Sequence, residues 1–88
     1  METYKLKIHE DVVFRNLQGE SVLLNLQTGT YFGLDSMGTR IWSLIEEHGF
    51  LQKVLEELIK ENDVTKEQCT DDLTHFVSLL KENKLIEK

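Results

Sequence analysis

The side chains that most often carry chemistry are few and scattered in this 88-residue chain. His9, His48 and His75 lie far apart, and none stands in a recognisable catalytic or metal-binding motif. Cys69 is the single cysteine and lies near the start of a predicted helix, where the helix N-terminus could lower the pKa of its thiol. We favour solvated or peripheral histidines and a small, core-facing cysteine.

Glycines and paired carboxylates also form no recognisable site. Gly29, Gly33 and Gly38 are isolated, whereas a phosphate-binding loop needs clustered glycines between a strand and a helix. The pairs Glu46–Glu47 and Glu56–Glu57 fall on polar sides of predicted helices, which is typical of a solvated face. We therefore expect no catalytic activity, no cofactor and no metal ion.

The length and charge of the chain narrow the remaining classes of protein. A chain of 88 residues supports one small domain, residues 1–88, because it buries only about 60–65% of its unfolded surface. Ten Lys and Arg against sixteen Asp and Glu give a formal charge of −6, which disfavours contact with a nucleic-acid backbone. No long apolar run or signal peptide is recognisable, and one cysteine allows no internal disulfide. We expect a cytoplasmic protein that binds neither membrane nor nucleic acid.

Three short strands are predicted in the first third of the chain. They cover Val12–Leu17, Ser21–Leu26 and Thr30–Leu34, which are rich in β-branched, aromatic and other apolar residues. Gly19 and Gly29 supply turn residues between them, so the strands should form an antiparallel meander.

The middle strand should bury one face. An apolar face formed by Val22, Leu24 and Leu26 alternates with a mixed face that includes Asn25 and Gln27. We expect the apolar face to point towards the core.

Amphipathic helices are predicted from residue 35 onward. Asp35 or Ser36 caps the first helix, and Gly49 ends it. The inward positions of the first helix are Met37, Ile41, Trp42, Leu44 and Ile45. The apolar positions of the second helix, which ends at a break at Asn62–Asp63, are Phe50, Leu51, Val54, Leu55, Leu58 and Ile59.

A third helix begins at a capping box formed by Thr65 and Gln68. Its apolar stripe consists of Cys69, Leu73, Phe76, Val77 and Leu80. The tail at Leu85–Ile86 either packs back on the domain or adds a short strand. This order predicts an α+β fold in which a three-stranded antiparallel sheet is followed by three helices, with parts comparable to those of winged helix-turn-helix domains.

The third predicted strand forms an unprotected sheet edge. Thr30–Leu34 contains no Pro, Lys or Glu, which are the residues that usually blunt an edge. Such an edge is either covered by the protein's own helix or used to capture an extended peptide by strand addition. The residues alone leave both alternatives open.

The segment LNLQTGTYFGLDSMGTRIW, residues 24–42, resembles the central signature of the PqqD family. Leu51, Val54 and Leu58 resemble the second helix of the family, and Asp72–Leu80 followed by Leu85–Ile86 resembles its third helix and ending. Two mild departures are Asp35 in place of Asn, and Asn83–Lys84 in place of a glycine. Because Asp caps helices well and Asn tolerates a left-handed φ, neither departure changes the expected fold.

The resemblance implies a non-catalytic chaperone for ribosomally made, modified peptides. Proteins of this family bind the leader of a precursor peptide as an extra strand and deliver it to a modifying enzyme. That enzyme is a radical-SAM protein in the pyrroloquinoline quinone pathway and a leader peptidase in lasso-peptide pathways. Carried onto this sequence, the strand-adding residues are Thr30, Tyr31, Phe32, Gly33 and Leu34. The candidate apolar wall of the groove is Leu73, Phe76, Val77 and Leu80.

A winged-helix nucleic-acid regulator is the alternative from a different class. It would need a basic recognition helix, whereas the second helix carries two lysines against three glutamates. The third helix carries Lys66 and Lys81 against four acidic residues. The charge pattern therefore favours the peptide-binding hypothesis.

Overall fold

The computed structural model describes residues 5–17, 20–61 and 65–87, and its elements follow the predicted order. The strands are β1 (Lys7–Ile8), β2 (Val12–Leu17), β3 (Glu20–Asn25), β4 (Tyr31–Leu34) and β5 (Ile86–Glu87). The helices are α1 (Ser36–His48), α2 (Leu51–Glu61) and α3 (Lys66–Glu82). The sheet β2-β3-β4 is an antiparallel meander, and β1 pairs with β5 in a second, two-stranded sheet. The mixed α+β fold is confirmed, and the tail does add a short strand.

The helix ends are set by the expected caps. The Asp35 carboxylate accepts a hydrogen bond from the Gly38 amide at 2.7 Å, and Gly49 ends α1 with a φ of 77°. The Thr65 hydroxyl accepts a bond from the Gln68 amide at 3.1 Å at the start of α3. The predicted turn at Gln18–Gly19 and the predicted break at Asn62–Asp63 lie outside the described residues.

The core lies between the sheet and the three helices. Trp42 is only 1% exposed at its centre. The buried apolar cluster to which Trp42 belongs also includes Leu23, Leu34, Ile41, Ile45, Val54, Leu58, Leu73, Val77, Leu80 and Leu85. All three helices contribute to this core and cover one face of the three-stranded sheet, which such a sheet needs in order to be stable.

Two residues that were expected to face inward are exposed. Met37 is 46% exposed because it lies in the first turn of α1, at the rim of an open cavity. Phe50 is also exposed, since α2 begins one residue later and Phe50 forms an isolated β-bridge with Lys5. The prediction of an inward position was therefore wrong at Met37, in the first turn of α1, and at Phe50, one residue before α2 begins.

The predicted buried face of β3 was wrong. The face that points towards the helices carries Ser21, Leu23 and Asn25, whereas Val22 and Leu24 are only half-buried. Leu26, which follows β3, is 61% exposed. The alternation of residues predicted that the more apolar face would be buried. In the structure the other face is buried, because hydrogen bonds satisfy its polar residues.

Asn25 is the polar residue that decides this orientation. Its side chain is fully buried, and its Oδ1 accepts hydrogen bonds from the amides of Gln27 at 2.8 Å and Thr28 at 3.1 Å. Its Nδ2 donates to the carbonyl oxygen of Lys84 at 2.7 Å. Asn25 thus shapes the β3–β4 turn, in which Gly29 has a φ of 77°, and ties that turn to the segment before β5.

None of the described helices is both long and apolar enough to cross a membrane.

Helices α1 and α2 are joined on the surface by an ion pair between Arg40 and Glu61. The carboxylate of Glu61 has its pKa lowered, chiefly by the hydrogen bond from the Arg40 guanidinium. Both groups are accessible to water, so the pair contributes little to stability.

Candidate functional site

The outer edge of β4 is open along the part of the chain that the structure describes. In the meander, β4 pairs with β3 on one side only. The Asn25 amide donates to the Thr30 carbonyl at 3.0 Å, and hydrogen-bonded pairs alternate along an antiparallel ladder. The main-chain groups of Phe32 and Leu34 therefore point towards β3, and those of Tyr31 and Gly33 point to the open edge.

Thr30 belongs to the turn and not to the edge. Its amide donates to the Thr28 hydroxyl at 3.2 Å, while its carbonyl accepts from Asn25. Of the five predicted strand-adding residues, Tyr31 and Gly33 thus have the main-chain groups that an added strand would meet. Sequence reasoning could not separate these two from the others, because the separation depends on the ladder register.

The side chains of β4 alternate between two faces of the sheet. We call the face towards the helices the inner face and the opposite one the outer face. Phe32 and Leu34 lie on the inner face, where Leu34 is buried and Phe32 is half-buried. Tyr31 and Gly33 lie on the outer face, and the Tyr31 side chain is 72% exposed.

Phe76 connects the edge strand to α3. Its ring meets that of Phe32 edge to face, with the ring centroids 6.2 Å apart and the planes at 65°. Gly38 of α1 lies against the same ring, because a Cβ at this glycine would lie 3.3 Å from Phe76 Cε1 and 3.3 Å from Leu34 Cδ2. The first turn of α1, the end of β4 and α3 therefore meet at Phe76.

The other three predicted wall residues of α3 lie in the core of the unbound chain. Leu73, Val77 and Leu80 are buried, whereas Phe76 is half-buried. Of the four, Phe76 is therefore the one with partly accessible surface beside β4, and a contact between a peptide and any of the four stays a prediction. One sequence could not divide these residues, since core and groove positions share one helical stripe.

A cavity of about 290 Å³ opens where β4 leads into α1. Its walls combine apolar side chains with two carboxylates and an imidazole. The lining residues are Asp35, Met37, Gly38, Ile41, Asp72, His75 and Phe76. Sequence reasoning missed the polar members, although the spacing of 72, 75 and 76 places those three on one side of a helix.

Two observations on the described residues concern the histidines, the acidic side chains and Cys69. No group of three or more His, Cys, Asp and Glu side chains there could hold a metal ion. Cys69 is buried as predicted, and burial raises the pKa of its thiol, with a further contribution from the charge of Asp72. A raised pKa disfavours the reactive thiolate.

Two solved structures resemble the chain over nearly its whole length. TbiB1, solved in complex with the TbiA(beta) leader peptide, is 42% identical, with a TM-score of 0.86 over 92% of this chain and 94% of that one. A lasso peptide synthetase B1 complexed with the leader peptide has the same fold at 20% identity, with a TM-score of 0.85 over 96% and 99% of the two chains. No curated protein sequence matches the chain. The family profile of coenzyme PQQ synthesis protein D (PqqD) matches residues 20–86, and the chain therefore belongs to the PqqD family.

Proposed function

We propose that this chain is a non-catalytic chaperone that binds the leader of a ribosomally made precursor peptide as an added β-strand. The observation that carries this proposal is the open edge of β4, where the main-chain groups of Tyr31 and Gly33 are free to pair, beside the accessible ring of Phe76. Strand addition takes much of its affinity from main-chain bonds and its specificity from side-chain pockets. An edge with an adjacent apolar ring and cavity supplies both.

Membership of the PqqD family and the 42% identity to TbiB1 support a leader peptide as the ligand. Within the proposal, Tyr31 and Gly33 pair with the peptide main chain. Phe32 and Leu34 hold β4 against β3 and the core, and Thr30 lies in the turn just before the edge begins. On α3, Phe76 contacts the peptide. Leu73, Val77 and Leu80 support Phe76 from the core and are the other candidates for the groove wall.

The proposal also covers the domain organisation, the location and the partner enzyme of the protein. The chain acts as a single cytoplasmic domain, residues 1–88, with a winged helix-turn-helix-like arrangement of sheet and helices. It presents the bound peptide to a modifying enzyme, either a leader peptidase or a radical-SAM enzyme. The formal charge of −6 opposes the alternative role as a nucleic-acid regulator.

Proline substitutions at the two sheet edges test the binding mode. Tyr31→Pro removes an amide that faces the open edge of β4, because proline has no N–H. Asn16→Pro is the matched control on β2, since the Leu26 amide donates to Asp11 and the ladder alternation then turns the Asn16 amide to the opposite edge. The ligand is the TbiA(beta) leader peptide, titrated by calorimetry with folding checked by circular dichroism.

We expect the unsubstituted chain to bind the peptide and Tyr31→Pro to weaken binding by at least tenfold, with Asn16→Pro close to the unsubstituted chain. Phe32→Pro should abolish binding in a different way, because it removes a bond of the ladder between β3 and β4 and weakens the sheet itself. Equal affinities for Tyr31→Pro and the unsubstituted chain would show that the peptide binds elsewhere.

A further inference from the structure

The outer face of the three-stranded sheet is apolar, although the core lies against the inner face. Val12 and Phe14 of β2 pack against the core, so Val13 between them points outward. The ladder register adds the remaining members, and the apolar residues of the outer face are Val13, Leu17, Val22, Leu24, Leu26 and Tyr31. We call these six residues the outer apolar patch. It contains the face of β3 that the sequence predicts to be buried.

Much of the outer apolar patch is accessible to solvent. Leu17 and Leu26 are each 61% exposed, and Tyr31 is 72% exposed. They are three of the five large apolar side chains that are exposed among the described residues. Single exposed apolar side chains are ordinary, whereas several on one flat face mark a surface that binds another protein.

The outer apolar patch runs up to the open edge of β4. Tyr31 is a member of the patch and also the first residue of β4, where its main-chain groups face the open edge. A peptide strand added beside β4 extends the same sheet sideways and leaves the outer face uncovered. A protein that covers the patch therefore lies directly beside the bound peptide.

The size of the patch argues against a second copy of this chain as its occupant. Three strands about 4.8 Å apart and six residues long make a face of only about 15 Å by 20 Å. Stable pairs bury about 800 Å² on each partner, so two copies stacked on this face alone form a small contact. Each copy also carries a formal charge of −6, which opposes their association. A larger partner that also reaches the added peptide strand gains contact area.

Arg15 supplies a charge that a partner could pair. It lies opposite Val22 in the ladder and therefore shares the outer face, where it is exposed. Within the described parts of the chain, its guanidinium forms no ion pair. A carboxylate on a partner can approach Arg15 from above the sheet without competing with an acidic group of this chain.

We infer that the outer apolar patch is the docking surface for the enzyme that modifies the peptide, and that this enzyme presents an apolar surface with a carboxylate opposite Arg15; this rests on the function proposed above. The patch occupies the face of the sheet and the peptide occupies its edge. The chain can therefore hold the peptide and the enzyme at the same time, which delivery of a bound peptide requires.

The test places a charge on the patch at points away from β4. The variants are Leu17→Glu, Leu26→Glu and Arg15→Glu. Phe50→Glu is the control, because Phe50 is an exposed apolar residue just before α2, on the helical side of the molecule, and gains the same charge. The probe is the purified leader peptidase or radical-SAM enzyme from the gene cluster that encodes this chain. Enzyme binding is followed by biolayer interferometry, and TbiA(beta) leader peptide binding by calorimetry.

Leu17→Glu and Leu26→Glu should each weaken enzyme binding at least tenfold, since each places an unpaired charge in an apolar contact. Phe50→Glu should stay within threefold of the unsubstituted chain. Arg15→Glu should slow association at least threefold at low salt, and added salt should reduce that difference. All four variants should bind the leader peptide within threefold of the unsubstituted chain and unfold at about the same temperature.

Four results would overturn the inference. If the enzyme binds the unsubstituted chain, Leu17→Glu and Leu26→Glu equally well, it docks elsewhere, and the proposed function stands. If the unsubstituted chain binds the peptide but not the enzyme, peptide binding stands and delivery fails together with the inference. If sedimentation of the chain alone shows a dimer that Leu17→Glu dissociates, a second copy covers the patch. If the unsubstituted chain binds no peptide, the proposed function fails and the inference fails with it.

Discussion

The two faces of strand β4 differ in what fills them. On the inner face, Leu34 is buried and Phe32 packs edge to face on Phe76. On the outer face, the Tyr31 ring is exposed and Gly33 leaves open space. Because successive side chains of a strand point to opposite faces, one short segment holds the fold with alternate residues and leaves the others free. Substitutions at Phe32 and Leu34 should therefore affect stability more than substitutions at Tyr31 and Gly33.

The largest effect is expected deep in the core beneath the inner face. Trp42→Ala should lower the free energy of unfolding by about 3–5 kcal/mol, since the indole is almost fully buried and its removal leaves a cavity. Urea unfolding followed by circular dichroism measures the change. Met37→Ala on the same helix is the control and should cost less than about 1 kcal/mol, because Met37 is 46% exposed. A loss below about 1 kcal/mol for Trp42→Ala would contradict this account of the core.

A smaller effect is expected from the buried amide behind the β3–β4 turn. Asn25→Ala should cost about 2–3 kcal/mol, because it removes three hydrogen bonds and leaves the Lys84 carbonyl without this donor. Thr28→Ala, in the exposed part of the same turn, should cost less than about 1 kcal/mol. Equal losses for the two variants, measured by urea unfolding, would mean that the buried amide does not hold the turn.

The glycine on the inner side should tolerate a side chain poorly. A Cβ at Gly38 would lie 3.2 Å from the Asp35 carboxylate and 3.3 Å from both Leu34 and Phe76. Alanine favours a helix over glycine by about 1 kcal/mol, but overpacking costs about 1–3 kcal/mol. We expect Gly38→Ala to destabilise the chain by about 1 kcal/mol in thermal unfolding, and a clear gain in stability would show that the neighbours yield freely.

The smallest effect on stability is expected at the glycine of the outer face. Gly33→Ala places its Cβ in open space, so the free energy of unfolding should stay within about 0.5 kcal/mol of the original value. The comparison with Gly38→Ala uses the same substitution at two different places, a strand position with open space around it and a helix position packed against three side chains. If Gly33→Ala proved the more destabilising of the two, the distinction between a packed inner face and an open outer face of β4 would be contradicted.

Much of the fold could be predicted from local pattern. The meander, the three helices and the caps at Asp35, Gly49 and Thr65 follow from residue periodicity and turn chemistry, and the structure confirms them. Strand β1 was not predicted, because its two residues, Lys7–Ile8, carry no period and gain their partner only from β5 at the far end of the chain. The buried face of β3 was mistaken for a related reason, since the bond from Asn25 to Lys84 is long-range in sequence.

The candidate site, like the fold, could be predicted from the sequence only in part. The unprotected edge and the stripe of α3 are visible in the sequence, because they depend on the types of residues and their spacing. The particular amides that face outward depend on ladder register, and the accessible fraction of Phe76 depends on how α1 approaches at Gly38. These are tertiary facts that no local pattern encodes.

Amide-shift mapping with the TbiA(beta) leader peptide tests the central claim most directly. Titration of the isotopically labelled chain should shift the amide signals of Tyr31 and Gly33 most. The amide signals of Phe76 and of the other residues that line its cavity should also shift, while those of β2 and α2 should change little. Shifts centred on β2 or α2, with Tyr31–Leu34 unaffected, would contradict the claim that the open edge of β4 binds the peptide.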